Sequence, residues 1–164
     1  MIFLSFIIFA LLTISHCAEE VKTVNCGSAI RLFHGENPSF YLSSGPYRWT
    51  TGSNHQVVTL TQELSSPSSL WQIPSSSHCE TGNPVNCGDT IRLMEIETKK
   101  FLHTDSTFPS VLSRRDQEIS AFGDDDGESK SPESNDWKVI CTGTSWTVDQ
   151  RVQLYHISSE TYLM

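Results

Sequence analysis

Apolar and polar residues alternate along this chain in short runs. Ile30-Arg31-Leu32 and Ile91-Arg92-Leu93 read apolar, polar, apolar, and Val57-Val58-Thr59-Leu60 does so more loosely. Further short runs lie at Phe40–Leu42, Trp71–Ile73, Phe101–His103, Glu118–Phe122, Trp137–Cys141 and Val152–His156. A period of two is that of half-buried strands. Turn formers separate the runs: Gly35-Glu36-Asn37-Pro38, Ser43-Ser44-Gly45-Pro46, Thr51-Gly52-Ser53-Asn54, Ser65-Ser66-Pro67-Ser68-Ser69 and Gly82-Asn83-Pro84. Breakers this frequent leave no window for an amphipathic helix of ordinary length. The pattern predicts an all-β sandwich or barrel, with a strand every ~8–15 residues.

The pattern also repeats. Val24-Asn25-Cys26-Gly27-Ser28-Ala29-Ile30-Arg31-Leu32 returns as Val85-Asn86-Cys87-Gly88-Asp89-Thr90-Ile91-Arg92-Leu93, an offset of 61 residues. Val152-Gln153-Leu154-Tyr155-His156 follows Ile91 onward at the same offset, and Phe40-Tyr41-Leu42, Lys100-Phe101-Leu102 and Thr161-Tyr162-Leu163 correspond. A fixed period means one structural unit reused, which removes any presumption of a single asymmetric cleft. The units span about 20–81, 82–145 and 146–164, the last partial. Strands are expected at about 29–34, 39–43, 56–61 and 70–74, then at about 90–95, 100–104, 117–122 and 136–141. Trp71 and Trp137 close their units at matching places and read as core residues, with carbohydrate stacking as the alternative. The third unit holds only Val152–His156 and Thr161–Met164, which would leave strand edges unpaired in a closed barrel.

Residues 1–18 read as a secretory signal: Ile2–Ile14 is almost unbroken apolar sequence, and Ser15-His16-Cys17-Ala18 suits cleavage after Cys17 or Ala18. The run is too short to cross a ~30 Å hydrocarbon core, although a membrane anchor is the alternative. Cleavage leaves about 146 residues, enough for one core. The net charge of −8 argues against nucleic acid and anionic membranes as partners. Cys26, Cys79, Cys87 and Cys141 then suggest two disulfides. Repeat equivalence favours Cys26–Cys79 with Cys87–Cys141; Cys79–Cys87 with Cys26–Cys141 stays open. No C-x-x-C pair points to zinc.

The motif Cys-Gly-x-x-Ile-Arg-Leu at 26–32 and 87–93, together with Phe101-Leu102-His103, Glu118–Gly123 and Asn135-Asp136-Trp137-Lys138-Val139, resembles the MIR repeat. That module is shared by protein O-mannosyltransferases and intracellular calcium-release channels. A signal followed directly by such repeats resembles the stromal cell-derived factor 2-like family, over essentially all of residues 20–164. The resemblance implies a β-trefoil, in which three four-stranded units surround a pseudo-threefold axis. It further implies a lumenal accessory of protein quality control, acting with a J-domain co-chaperone, the chaperone BiP and unfolded clients. Family members of the animal type usually end in a retention tetrapeptide, whereas this sequence ends Thr161-Tyr162-Leu163-Met164, so both the endoplasmic-reticulum lumen and secretion are expected locations. A lectin-like module linked to O-mannosylation is the alternative function.

Candidate chemistry is sparse. There is no nucleophile elbow, zinc-protease helix, phosphate loop or redox pair, and the chain reads as neither an enzyme nor a cofactor or metal carrier. His34 and His156 share one repeat position, held by Glu95 in the second unit. A turn-bonded strand end is the plain reading, and a ligand-contacting residue the alternative. Asp124-Asp125-Asp126-Gly127-Glu128 lacks EF-hand spacing and reads as a solvated loop, or as weak calcium association. Arg114-Arg115 reads as a surface pair or a contact for an acidic partner. Arg31 and Arg92 should point out of the barrel, bonded to their own unit or offered to a partner carboxylate or sugar. Tyr47, Trp49 and His103 complete the candidate partner or glycan contacts, as exposed rings. No usable N-glycosylation sequon is present, since Asn37 precedes Pro38.

Overall fold

The computed structural model describes residues 21–76, 79–113, 115–123 and 132–164. The signal segment, His78, Arg114 and the acidic run 124–128 therefore lie outside the described residues. Among the described residues, twelve strands follow one another in the order of the repeat. In the first unit these are β1 (Ala29–Ile30), β2 (Phe33–His34), β3 (Asn37–Arg48), β4 (Gln56–Thr61) and β5 (Trp71–Gln72). The second unit contributes β6 (Thr90–Ile91), β7 (Met94–Glu95), β8 (Phe101–Pro109), β9 (Gln117–Phe122) and β10 (Trp137–Ile140). The third contributes β11 (Gln153–His156) and β12 (Thr161–Tyr162). The short 3-10 helices Pro67–Ser69 and Pro132–Asn135 lead into the closing tryptophans.

Two expected strands are each divided. The stretch 29–34 becomes β1 and β2, and 90–95 becomes β6 and β7. The reason is a change of partner: β5 pairs β1 and then β7, while β10 pairs β6 on one side and β11 on the other. Each unit's last strand thus sits between the start of its own unit and the start of the next. The second strands run further than expected, through Arg48 and Pro109, because they continue into long hairpins with β4 and β9. This is the all-β trefoil arrangement of barrel strands capped by hairpins.

The pseudo-threefold axis is closed by backbone alone. Val24 N donates to Trp146 O at 2.9 Å, Trp146 N to Val85 O at 2.8 Å, and Val85 N to Val24 O at 2.9 Å. These three residues stand one repeat length apart in turn. Just beyond them, Gly27 and Gly88 adopt φ of +87° and +98°, and each donates its N–H across to the fourth strand, at Ile73 O and Val139 O. Glycine suits that left-handed backbone. The third copy makes the same turn with Asp149 at φ +64°, a residue type that tolerates it better than most.

Trp71 and Trp137 are fully buried, and each indole Nε1 donates 3.0 Å to a carbonyl of its own unit's second strand, Leu42 O and Leu102 O. The core around them includes Val58, Ile73, Ile91, Leu93, Ala121, Val139 and Leu154. Two disulfides, Cys26–Cys79 and Cys87–Cys141, tie the start of each unit to its end. This is the pairing that repeat equivalence favours, not the crossed one. In the chain-entropy picture each contributes roughly 4 kcal/mol. No helix among the described residues is long and apolar enough to cross a membrane.

Candidate functional site

Candidate residues fall into three places: turns, the contact between the first two units, and an open cleft beside the third. The shared repeat position of His34, Glu95 and His156 is a turn holder in all three units. His34 Nδ1 accepts from Asn37 N at 3.2 Å. Glu95 accepts from Glu97 N, Thr98 N and Thr98 Oγ1 at 3.0, 2.7 and 2.7 Å. His156 Nδ1 lies 2.6 Å from Ser159 Oγ. Burial differs sharply among them, since Glu95 and His156 are inaccessible whereas His34 is exposed.

Arg31 and Arg92 each bond to the lead-in of their own fourth strand. Arg31 Nε donates to Ser69 Oγ at 3.1 Å, and Arg92 Nε to Asp136 Oδ1 at 2.7 Å as an ion pair. Both guanidinium groups therefore brace the barrel as they leave it. Tyr47 is 78% exposed at the end of β3. Trp49 is half-buried and donates its indole N–H to Ile119 O at 3.2 Å, linking the first unit to the second. His103 departs from expectation: it is buried at 3% exposure, so it is no surface contact for a glycan. Its strand β8 is covered on both faces from Phe101 to Thr104, and His103 Nδ1 donates to Asn135 Oδ1 at 2.9 Å.

His103 belongs to a cluster the sequence did not reveal. His55 lies nearly parallel to Phe122 with ring centroids 4.0 Å apart, and edge-on to His103 at 5.1 Å. Burial lowers the His55 pKa to about 4, with further lowering from His103 and Arg48 against the opposing pull of Asp105. Burial likewise lowers His103 and His156. Beside them Glu118 accepts from the Ser53 hydroxyl and packs against Gly52, whose φ of +81° lets the turn approach. A side chain at Gly52 would collide with that carboxylate. The cluster joins β4 and β9, strands from different units, so no local spacing announces it. Within it His55 Nδ1 lies 3.4 Å from Ser120 Oγ, and His103 is bonded to Asn135.

The cleft has a volume of about 1080 Å³ and lies between the first and third units. Ile30, Leu32, Leu42, Trp146, Leu154 and Leu163 are among the residues lining it. Arg151 bridges its rim, with Nη2 donating to Gly35 O at 2.7 Å.

The MIR domain profile matches residues 22–164 of this chain. Stromal cell-derived factor 2 of Homo sapiens is 36% identical over 148 residues, which covers 89% of this chain and 67% of the relative. The chain therefore spans about two thirds of that relative's length. The crystal structure of the SDF2-like protein from Arabidopsis thaliana superposes with a TM-score of 0.76 at 33% identity, covering 86% of this chain and 77% of that one. The protein O-mannosyltransferase Pmt1–Pmt2 complex of S. cerevisiae, bound to its sugar donor, shares the fold at a TM-score of 0.74 and 24% identity, over 87% of this chain and 21% of that one. With three repeat copies set around one axis and this likeness along nearly its whole length, the chain belongs to the MIR-domain proteins, within the stromal cell-derived factor 2-like family.

Proposed function

We propose that this chain is a non-enzymatic binding protein of the endoplasmic-reticulum lumen, accessory to chaperone-mediated folding and quality control. One observation carries the reading: nearly the whole chain is a MIR module related to stromal cell-derived factor 2. Two further features support it. The interior polar groups serve turns and strand contacts, as with Glu95, Glu118 and His103. The two disulfides suit an oxidising compartment, the lumen or the exterior. In this reading the partners are BiP with a J-domain co-chaperone, and unfolded client chains.

Co-purification of the tagged protein from a lumenal extract, under reducing and non-reducing conditions, tests the reading. Recovery of BiP and a J-domain protein under both conditions is the expected result. Recovery of mannosylated peptides alone would sink it, and would favour the lectin-like alternative. That alternative draws on the highly exposed Tyr47, a ring available for sugar stacking, and on the fold shared with the mannosyltransferase complex.

A further inference from the structure

We propose that the tip of the first hairpin, residues 45–55, is an acid-released latch on the second unit, with His55 as its trigger. The tip is hinged at a bulge. Between the pairs Ser44–Val58 and Arg48–Gln56, the residues Gly45, Pro46 and Tyr47 of β3 stand against Val57 alone. Pro46 brings no N–H to the ladder. Below the bulge the hairpin is fixed: Gln56 Nε2 donates to Ser44 Oγ at 2.8 Å and to Thr98 Oγ1, in the second unit, at 3.0 Å. Above it the tip is bonded to itself. Trp49 N donates to His55 O at 2.9 Å, His55 N to Ser53 Oγ at 3.0 Å, and Arg48 Nη1 to Asn54 O at 3.3 Å. The tip can therefore swing as one piece.

Three attachments hold it to β8 and β9. The Trp49 indole donates to Ile119 O, the Ser53 hydroxyl donates to Glu118, and His55 lies on Phe122 with His103 and Phe108 edge-on to it. The third attachment suits only a neutral imidazole. Burial opposes a charge there most strongly; His103 of β8 and Arg48 of β3 oppose it further, and Asp105 of β8 favours it. On β9, Glu118 is engaged by Ser53, and Ser120 offers His55 a neutral hydroxyl. Above pH 6.5 the ring is neutral whether the tip is open or closed, and the latch stays shut. As pH falls towards about 4, the open tip binds a proton that the closed tip refuses, so opening is favoured. Release uncovers the rings of Phe122 and Phe108 and frees the Ile119 carbonyl.

The latch does not depend on the partners proposed above, and it is tested on the purified chain alone. The probe is hydrogen exchange of the Trp49 indole N–H, followed by NMR. Protection is taken against N-acetyltryptophanamide at the same pH, which removes the intrinsic pH dependence of exchange. Between pH 7.4 and 5.5 it should fall about fivefold to tenfold, as for one partly solvated imidazole titrating at 6.5 when open and at about 4 when closed. At both pH values it should stay well below the protection of the Trp71 and Trp137 indoles, which are bonded within their own units. His55→Phe keeps a ring on Phe122, and His55→Asn keeps a polar group near Ser120; neither takes up a proton. Each should change by no more than about twofold over the same interval. Unchanged protection at Trp49, or the full fall in a variant that melts like the parent, would overturn the proposal. So would protection at Trp49 equal to that at Trp71, since the tip would then open only when the whole chain unfolds.

Discussion

The amide of Val24 donates to the carbonyl of Trp146 at 2.9 Å, joining residues two repeat lengths apart. With Val85 completing the ring, three segments that are distant in sequence meet on one axis, and the third unit is fastened to the first before it contributes any strand. Trp146 is also buried at 4% exposure. Trp146→Ala should therefore cost about 3–5 kcal/mol. Urea denaturation followed by circular dichroism measures it, and a loss below about 1 kcal/mol would mean the third unit is not part of the core.

Trp71 and Trp137 do more than fill space, because each indole satisfies a buried carbonyl. Trp71→Phe and Trp137→Phe keep most of the volume and leave Leu42 O or Leu102 O without that partner, at a cost of about 1–3 kcal/mol each. Equal costs for the two replacements are expected from their equivalence. Equilibrium unfolding of both variants beside the parent checks this.

One repeat position should give three different answers. Glu95→Ala strips a buried turn of its acceptor and should cost about 2–3 kcal/mol, within the range for breaking a buried polar network. His34→Ala, at an exposed turn, should cost no more than about 0.5 kcal/mol. His156→Ala should fall nearer to Glu95→Ala. Thermal melts of the three variants order them.

Acid should weaken the fold through its buried imidazoles. Burial depresses the pKa values of His55, His103 and His156, so the unfolded chain binds more protons than the folded one as pH falls below 6.5. Stability is then complete above pH 6.5 and is lost as pH falls towards about 4, the folded value of His55. Allowing for solvent at the partly exposed His55 ring, a loss of about 1 kcal/mol, or roughly 3 °C in Tm, is expected between pH 7 and 4.5. His55→Phe, which retains a ring against Phe122, should flatten that profile. A Tm that rises over the same interval would contradict the account.

The parts of the fold set by repetition were readable from sequence, and those set by contacts between units were not. Cys26 and Cys87, Trp71 and Trp137, and the paired Arg31 and Arg92 stand at fixed offsets, so the symmetry assigned their neighbours. The division of 29–34 into β1 and β2 was invisible because it follows from β5 changing partners, a property of the assembled barrel. His103 misled because β8 does not alternate there: Phe101, Leu102, His103 and Thr104 are all buried, so both faces of the strand are covered. The cover on the His103 face comes from Asn135, far along the chain, which bonds the ring at 2.9 Å. The cluster of His55, Phe122 and Glu118 was missed for the same reason.

Hydrogen–deuterium exchange at three amides tests the trefoil most directly. If Val24, Val85 and Trp146 form one ring on the pseudo-threefold axis, all three should exchange slowly and at similar rates, through global opening. A Trp146 amide that exchanges at the rate of an exposed turn, while Val85 stays protected, would contradict a third unit closed onto the first two.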